Sequence, residues 1–207
     1  TKEENRTTFN RTRNKRNAGK LVISRPLREG QLSFGGEYSH NSRTNIYHNE
    51  EGVLDSDDSE IKEGMASGFV EYGRSFGKLG VQAGVRYEHV GFDYYDRGKH
   101  IDEQSKTYDD VFPSLAFSLP IGEVQTQLVY GTDISRPGYM ALRRNITYVN
   151  RYLYETGDPY LLPTKSRNLT FASSYKWVNL VLGYQHIKDD ISQLCVPFPE
   201  KDPSVSL

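Results

Sequence analysis

Cysteine is almost missing from this sequence. Cys195 is the single one in 207 residues, which excludes an internal disulfide and any zinc site built from cysteines. Long apolar runs are missing too. No stretch approaches the roughly 20 residues that a membrane-crossing helix needs, and the mean hydropathy is −0.69, so a helical membrane protein is excluded. A membrane-crossing strand is not excluded, because only every second residue has to be apolar over about 9–11 positions. Charge of one sign is not in excess. The formal net charge is −1, so nothing global argues for nucleic acid. The sequence contains no GxSxG, no HExxH and no phosphate-binding glycine loop, and its five histidines are scattered singly. Neither an enzyme nor a cofactor is expected. The chain starts abruptly with TKEENRTT, with no initiator methionine or signal peptide at residue 1, and reads as a fragment or processed product.

What is present is strict alternation. Residues 79–96 read LGVQAGVRYEHVGFDYYD, with Leu79, Val81, Ala83, Val85 and Tyr87 on one side and Gly80, Gln82, Gly84, Arg86 and Glu88 on the other. A period of two marks a strand whose faces meet different surroundings. Similar segments are expected at Lys20–Ser24, Gln31–Asn45, Gly64–Phe76, Tyr108–Leu119, Glu123–Ser135, Lys165–Tyr175 and Val178–Asp189. No segment has helical periodicity. The expected fold is therefore all-β, an antiparallel up-and-down meander of about eight long strands. Tight connections near residues 28, 77, 121 and 177 alternate with long ones near 55, 101 and 150. In an up-and-down sheet alternate connections share an end, so all tight turns fall at one end and all long loops at the other. Outer-membrane barrels sort their loops in this way, and a soluble meander has no reason to. Fifteen tyrosines against one tryptophan agree with this, since tyrosine favours both strands and membrane interfaces. The competing reading is a soluble or surface-exposed all-β binding domain of the adhesin kind.

Candidate contacts for a ligand concentrate in the longest connection, Arg136–Pro163. It carries Tyr139, Arg143, Arg144, Tyr148, Arg151, Tyr152, Tyr154 and Tyr160. Tyrosine supplies wide amphipathic contact at low entropic cost, and arginine adds charge and stacking. His48 and His100 lie in or beside other long loops, where solvation is the default and contact with a metal chelate the alternative. The acidic run Asp55–Glu60 lacks the ligand spacing of a calcium loop. The basic start (Arg6, Arg11, Arg13, Lys15, Arg16, Lys20) has only Phe9 among its charges, which is weak evidence for nucleic acid, and it can equally contact lipopolysaccharide phosphates or belong to a polar strand end. Arg86 and Glu88 share the polar face, where they can pair with an internal domain or with neighbours.

Four local patterns together resemble one family. AGVRYEH (Ala83–His89) resembles the "aGlRyE" strand of TonB-dependent outer-membrane receptors, in particular the outer-membrane-protein β-barrel family, and DVFPSLAFS (Asp110–Ser118) is similar to its "lFPSlslsY" strand. DISRPGYMALRRNITYVN (Asp133–Asn150) resembles its "isRPsyqdLnPfi" loop entry. TGDPYLLPTKSRNLTFASSY (Thr156–Tyr175) resembles its "GNPnLkPEyshnyelsy" segment, with Asp158 in place of the usual Asn and Thr164 where an acidic residue is common. The resemblance is strongest over 31–190. It implies that residues 1–207 are a segment of a large transmembrane β-barrel in the outer membrane of a Gram-negative bacterium, without the plug domain such barrels enclose. It further implies partners (TonB, the plug, lipid bilayer and lipopolysaccharide) and uptake of an iron chelate, cobalamin, glycan or peptide.

Overall fold

The computed structural model describes residues 8–49, 56–142, 146–150, 153–158 and 160–196. Eight long strands follow one another in sheet order: β1 (Thr8–Leu27), β2 (Gly30–Asn49), β3 (Asp57–Phe76), β4 (Leu79–Asp96), β6 (Lys106–Ile121), β7 (Val124–Ser135), β10 (Thr164–Tyr175) and β11 (Val178–Lys188). A two-residue strand, β5 (Lys99–His100), folds back on the end of β4 and makes the sheet nine-stranded. A separate hairpin, β8 (Thr147–Asn150) and β9 (Leu153–Glu155), rises from the long connection before β10. The only helical turns among the described residues are Asp102–Gln104 and Tyr139–Leu142, and no helix there is long and apolar enough to cross a membrane. Every pairing among the described residues is antiparallel, each long strand pairs with the next long strand along the chain, and the sheet is open, with β1 and β11 at its edges.

Four connections are two residues long and share one end of the sheet: 28–29, 77–78, 122–123 and 176–177. The first residue of each has a positive φ: Arg28 at 54°, Gly77 at 60°, Gly122 at 63° and Lys176 at 51°. Such turns follow the right-handed twist of the flanking strands. The long connections, 50–56, 97–105 and 136–163, all lie at the other end, so the sorting expected from spacing is present.

Two strands reach further than expected. The basic segment from Thr8 onward belongs to β1, which pairs with β2 over its whole length, and the acidic residues from Asp57 to Glu60 belong to β3. Neither segment has an apolar face, so hydropathy alternation could not reveal them as strands. Their backbones nevertheless continue ladders that the apolar parts begin, each added residue gaining a hydrogen bond without a new closure cost.

Side-chain parity divides the sheet into two unlike faces. Ser39, Asn45, Tyr47, Ser59, Ile61, Glu88, Val90, Tyr94 and Asp110 are all buried, and all lie on one face, near the loop end. We call it the covered face, because Gln104 of the first helical turn and Leu142 of the second are buried over it. The opposite, bare face carries unbroken apolar rows. Ile23, Phe34, Val70, Val85 and Pro113 are successive cross-strand partners, as are Leu115, Tyr130, Leu169 and Tyr184. Val85 is 42% exposed and Tyr184 67%, although monomeric soluble proteins rarely leave contiguous apolar patches beyond a few hundred Å². Beyond Tyr38 and Tyr87 the same face turns polar, with His40, Ser42 and Thr44 on β2 and His89 and Asp93 on β4.

Close approach explains one glycine. Gly35 sits directly across from Phe69 on the covered face, and a Cβ there would lie 2.2 Å from the Leu21 carbonyl oxygen and 3.0 Å from the Phe69 ring. Gly91 faces open space. Gly35→Ala is expected to destabilise the chain by about 1–3 kcal/mol, the usual cost of overpacking, while Gly91→Ala stays within about 1 kcal/mol. Urea titration of the two variants, refolded side by side in detergent, measures the difference.

Candidate functional site

At the loop end the covered face gathers charge. Arg86 and Glu88 are two residues apart on β4 and therefore share a face. Their side chains pair, with Arg86 Nη2 2.5 Å from Glu88 Oε1. The second carboxylate oxygen accepts a hydrogen bond from Arg136 Nη2 at 2.6 Å. The Glu88 side chain is only 6% exposed, and Arg136 is the first residue after β7. One buried carboxylate thus ties the root of the long connection 136–163 to the wall. A second buried carboxylate, Asp110 on β6, pairs with Lys165 where that connection returns into β10. Both ends of the connection are held by ion pairs to β4 and β6.

Beneath this root lies a cavity of about 30 Å³, lined by Glu63, Val90, Phe92, Gln104, Tyr108, Arg136 and Leu142 among others. Gln104 is 2% exposed, and its Oε1 has no hydrogen-bond partner among the described residues. A cavity of this size with a free acceptor suits an ordered water. The loop's return is shaped locally. Asp158 Oδ1 accepts the Tyr160 N–H at 2.8 Å, an Asx turn, and the Asp158 N–H donates to the Ala141 carbonyl at 2.7 Å. Asp158, which stands where the family pattern has Asn, closes this turn through its own carboxylate. Thr164, the other departure from that pattern, donates its hydroxyl to the Asp189 carbonyl at 2.8 Å.

Of the residues expected to meet a ligand, Arg143, Arg144, Arg151 and Tyr152 lie outside the described residues. Tyr139 opens the helical turn, and Tyr148 and Tyr154 are direct cross-strand partners in the β8–β9 hairpin. A groove of about 620 Å³ runs between this connection and the segment after β11. Leu153, Glu155, Thr156, Leu161, Ile191 and Leu194 are among its lining residues. That volume falls in the range of small-molecule sites. The exposed Cys195 lies at its rim.

Three of the five histidines find local partners. His48 Nδ1 lies 2.9 Å from Ser56 Oγ, and His100 contacts Asp102 at 2.8 Å, Asp93 at 3.3 Å and Ser105 at 2.9 Å. On the bare face His89 and Tyr87 both contact Asp109, at 2.8 and 2.5 Å. No group of three or more His, Cys, Asp or Glu is placed to hold a metal ion among the described residues. Asp55, of the acidic run, and Arg6, of the basic start, lie outside the described residues. Sequence reasoning placed Arg86 and Glu88 on the polar face but missed Arg136 as their partner. Parity tells which face a strand residue takes, not which loop residue folds over it.

An antiparallel sheet with one apolar face, one polar face, tight turns at one end and loops at the other is the wall of a membrane β-barrel. The family description agrees over nearly the whole chain: residues 1–206 match the outer membrane protein beta-barrel family, and the protein belongs to it. No curated protein matches the sequence. Among solved structures, the chain is similar to the ferric citrate transporter FecA in its unliganded form, with a TM-score of 0.65 at 12% identity over 99% of this chain and 32% of that one. It is also similar to the ferric yersiniabactin uptake receptor FyuA from Yersinia pestis, with a TM-score of 0.61 at 13% identity over 91% of this chain and 31% of that one. The copper transporter OprC gives a TM-score of 0.57 at 12% identity, covering 86% of this chain and 30% of its own length. At such identities the likeness shows the fold alone, and the chain spans about a third of each of these structures.

The Glu88 clasp is testable. Glu88→Gln leaves two guanidinium groups without their shared anion, and removing one member of a buried ion pair costs about 3–5 kcal/mol when burial is complete. Because Arg86 is 42% exposed, a smaller loss of about 1–3 kcal/mol is expected here. Limited proteolysis of the variant should cut first within 137–163, while the strands keep their protection.

Proposed function

We propose that this chain is a wall segment of an outer-membrane receptor that takes up a scarce ligand and performs no chemistry on it. The bare face lies against lipid and the covered face lines the lumen. The observation that carries the reading is the parity of the sheet: every buried strand residue is on one face, and unbroken apolar rows stand exposed on the other. In lipid those rows are solvated by acyl chains. Their height also fits, since β4 offers five alternate apolar residues from Leu79 to Tyr87, nine positions in all, against about 9–11 for a membrane-crossing strand. Tyr38 and Tyr87 then form part of the outer aromatic girdle, and the exposed Trp177, on a tight turn, anchors the inner one.

Residues beyond the girdle, including the polar halves of β1, β2 and β3, stand outside the membrane and carry the loops. The connection 136–163 is the ligand-contacting loop, presenting Tyr139, Arg143, Arg144, Tyr148, Arg151, Tyr152 and Tyr154 from a root fixed by Glu88 and Asp110. The ligand is an iron chelate, cobalamin, a glycan or a peptide. The similar structures are transporters and receptors named for ferric citrate, ferric yersiniabactin and copper, which supports the metal-linked classes. A plug inside the completed barrel, and TonB beyond it, would supply gating and energy.

Single cysteines at Val81, Gln82 and Val85, in a Cys195→Ser background of the complete protein in outer membranes, test the orientation. Val81 and Val85 should react only with a lipid-soluble thiol reagent, and Gln82 should not react with it. If none of the three meets lipid, the soluble binding-domain reading replaces the receptor. For the loop, Tyr148→Ala with Tyr154→Ala is expected to weaken ligand binding about tenfold or more without loss of folded barrel. Calorimetric titration of the identified ligand measures it.

A further inference from the structure

On the bare face of β10 and β11 the apolar belt ends at Leu169 and Tyr184, which stand directly opposite each other. The next row outward is Arg167 opposite His186, and the row after that is Lys165 opposite Lys188. Like charges directly across an antiparallel pair repel, so a block of this kind calls for an anion. Lys165 is drawn out of the block, its ammonium paired with Asp110, which is buried on the covered face. Arg167, His186 and Lys188 have no carboxylate partner among the described residues. On the same face Lys62 and His89 have their own anions, Glu60 and Asp109, whereas Arg11, Arg13 and Lys15 of β1 have no carboxylate partner among the described residues.

Arg167 carries the argument, because the strands on both sides of it are described. Its cross-strand neighbours are Thr132 and His186, its diagonal neighbours on the same face are Tyr130, Ile134, Tyr184 and Lys188, and none is acidic. Depth adds a second constraint. One row is two residues, about 6.6–6.8 Å along the strand, or about 5 Å along the membrane normal at the usual barrel tilt. The headgroup zone is about 5–7 Å thick on each side of the hydrocarbon. One row above the Leu169–Tyr184 pair is therefore headgroup depth, and two rows reach its outer limit.

We infer that Arg167, His186 and Lys188 form a binding site for the phosphate groups of an outer-leaflet lipid. The inference rests on the bare face meeting lipid. The guanidinium of Arg167 grips a phosphate bidentately, Lys188 caps it from above, and the acyl chains run down over Leu169, Leu182 and Tyr184. The site would fasten the lipid directly beneath the return of the ligand-contacting loop.

The test uses the complete protein in phosphatidylcholine nanodiscs, with lipid A bearing two phosphates as the probe and its dephosphorylated form as the control. Bound lipid is counted by native mass spectrometry. A basic residue near an anionic membrane surface contributes about fivefold in affinity. The triple variant Arg167→Gln, His186→Gln, Lys188→Gln should therefore bind phosphorylated lipid A roughly 25-fold more weakly or worse, while binding of the dephosphorylated form is unchanged. Arg167→Gln alone, with folding verified by heat-modifiable gel migration, should lose about fivefold and serves if the triple variant does not fold. Equal binding by wild type and variant, or equal binding of the two lipid forms by wild type, would overturn the site. Full displacement by millimolar inorganic phosphate would overturn it as a lipid site. So would full binding restored by neutralising a carboxylate on the strand beyond β11, since Arg167 would then belong to an ion pair within the wall. Failure of the membrane reading looks different: the protein would not remain in the nanodisc at all.

Discussion

The structure depends on one continuous antiparallel ladder. Where a chain crosses hydrocarbon there is no water to take up a free N–H or C=O, and each unsatisfied group costs several kcal/mol. The ladder must then run unbroken from strand to strand through the full depth of the bilayer. Here it runs from β1 to β11 through eight long strands, each pairing with its chain neighbour. Continuity has a second effect. A register slip of one residue would turn every side chain of a strand onto the opposite face, so the apolar rows on the bare face and the buried polar groups on the covered face hold the register between them. The edges at β1 and β11 present unpaired backbone, which a completed barrel closes.

The loop end answers to different physics. There both faces of the strands turn polar, hydropathy alternation fades, and charge takes over as the organising force. Glu88 between Arg86 and Arg136, and Asp110 beside Lys165, pin both ends of the connection 136–163 to adjacent strands. Ion pairs of this kind are weak contributors to net stability, because desolvation offsets most of the attraction. Their directional geometry makes them suited to placing a loop. A rigid wall with a tied-down loop root leaves the tip of the loop free to vary, and this is where binding residues gather in most folds.

The similar solved structures share this architecture at 12–13% identity. Parity, turn length and loop sorting, the features that define this chain's fold, are constraints that many sequences satisfy. Asp158 illustrates the tolerance. An Asx turn needs a side-chain oxygen two residues before an N–H, and Asp and Asn supply it equally well.

Alternation in LGVQAGVRYEHVGFDYYD was enough to find β4 and its two faces, and the spacing of turns was enough to find the meander and the sorting of its loops. These features are local: they need only a period of two and a count of residues between strands. The basic half of β1 and the acidic start of β3 were not legible, because a strand polar on both faces has no hydropathy signature, and only the neighbouring ladder shows that it is one. The loop site was half legible. Its tyrosines and arginines stood out by composition, and parity put Glu88 on the covered face. Only the tertiary structure decided that Arg136 closes over Glu88, that Lys165 reaches Asp110, and that Arg167 stands among basic and neutral neighbours. Those pairs are 48 and 55 residues apart in the chain, and their meeting is set by strand register and loop path rather than by any local pattern.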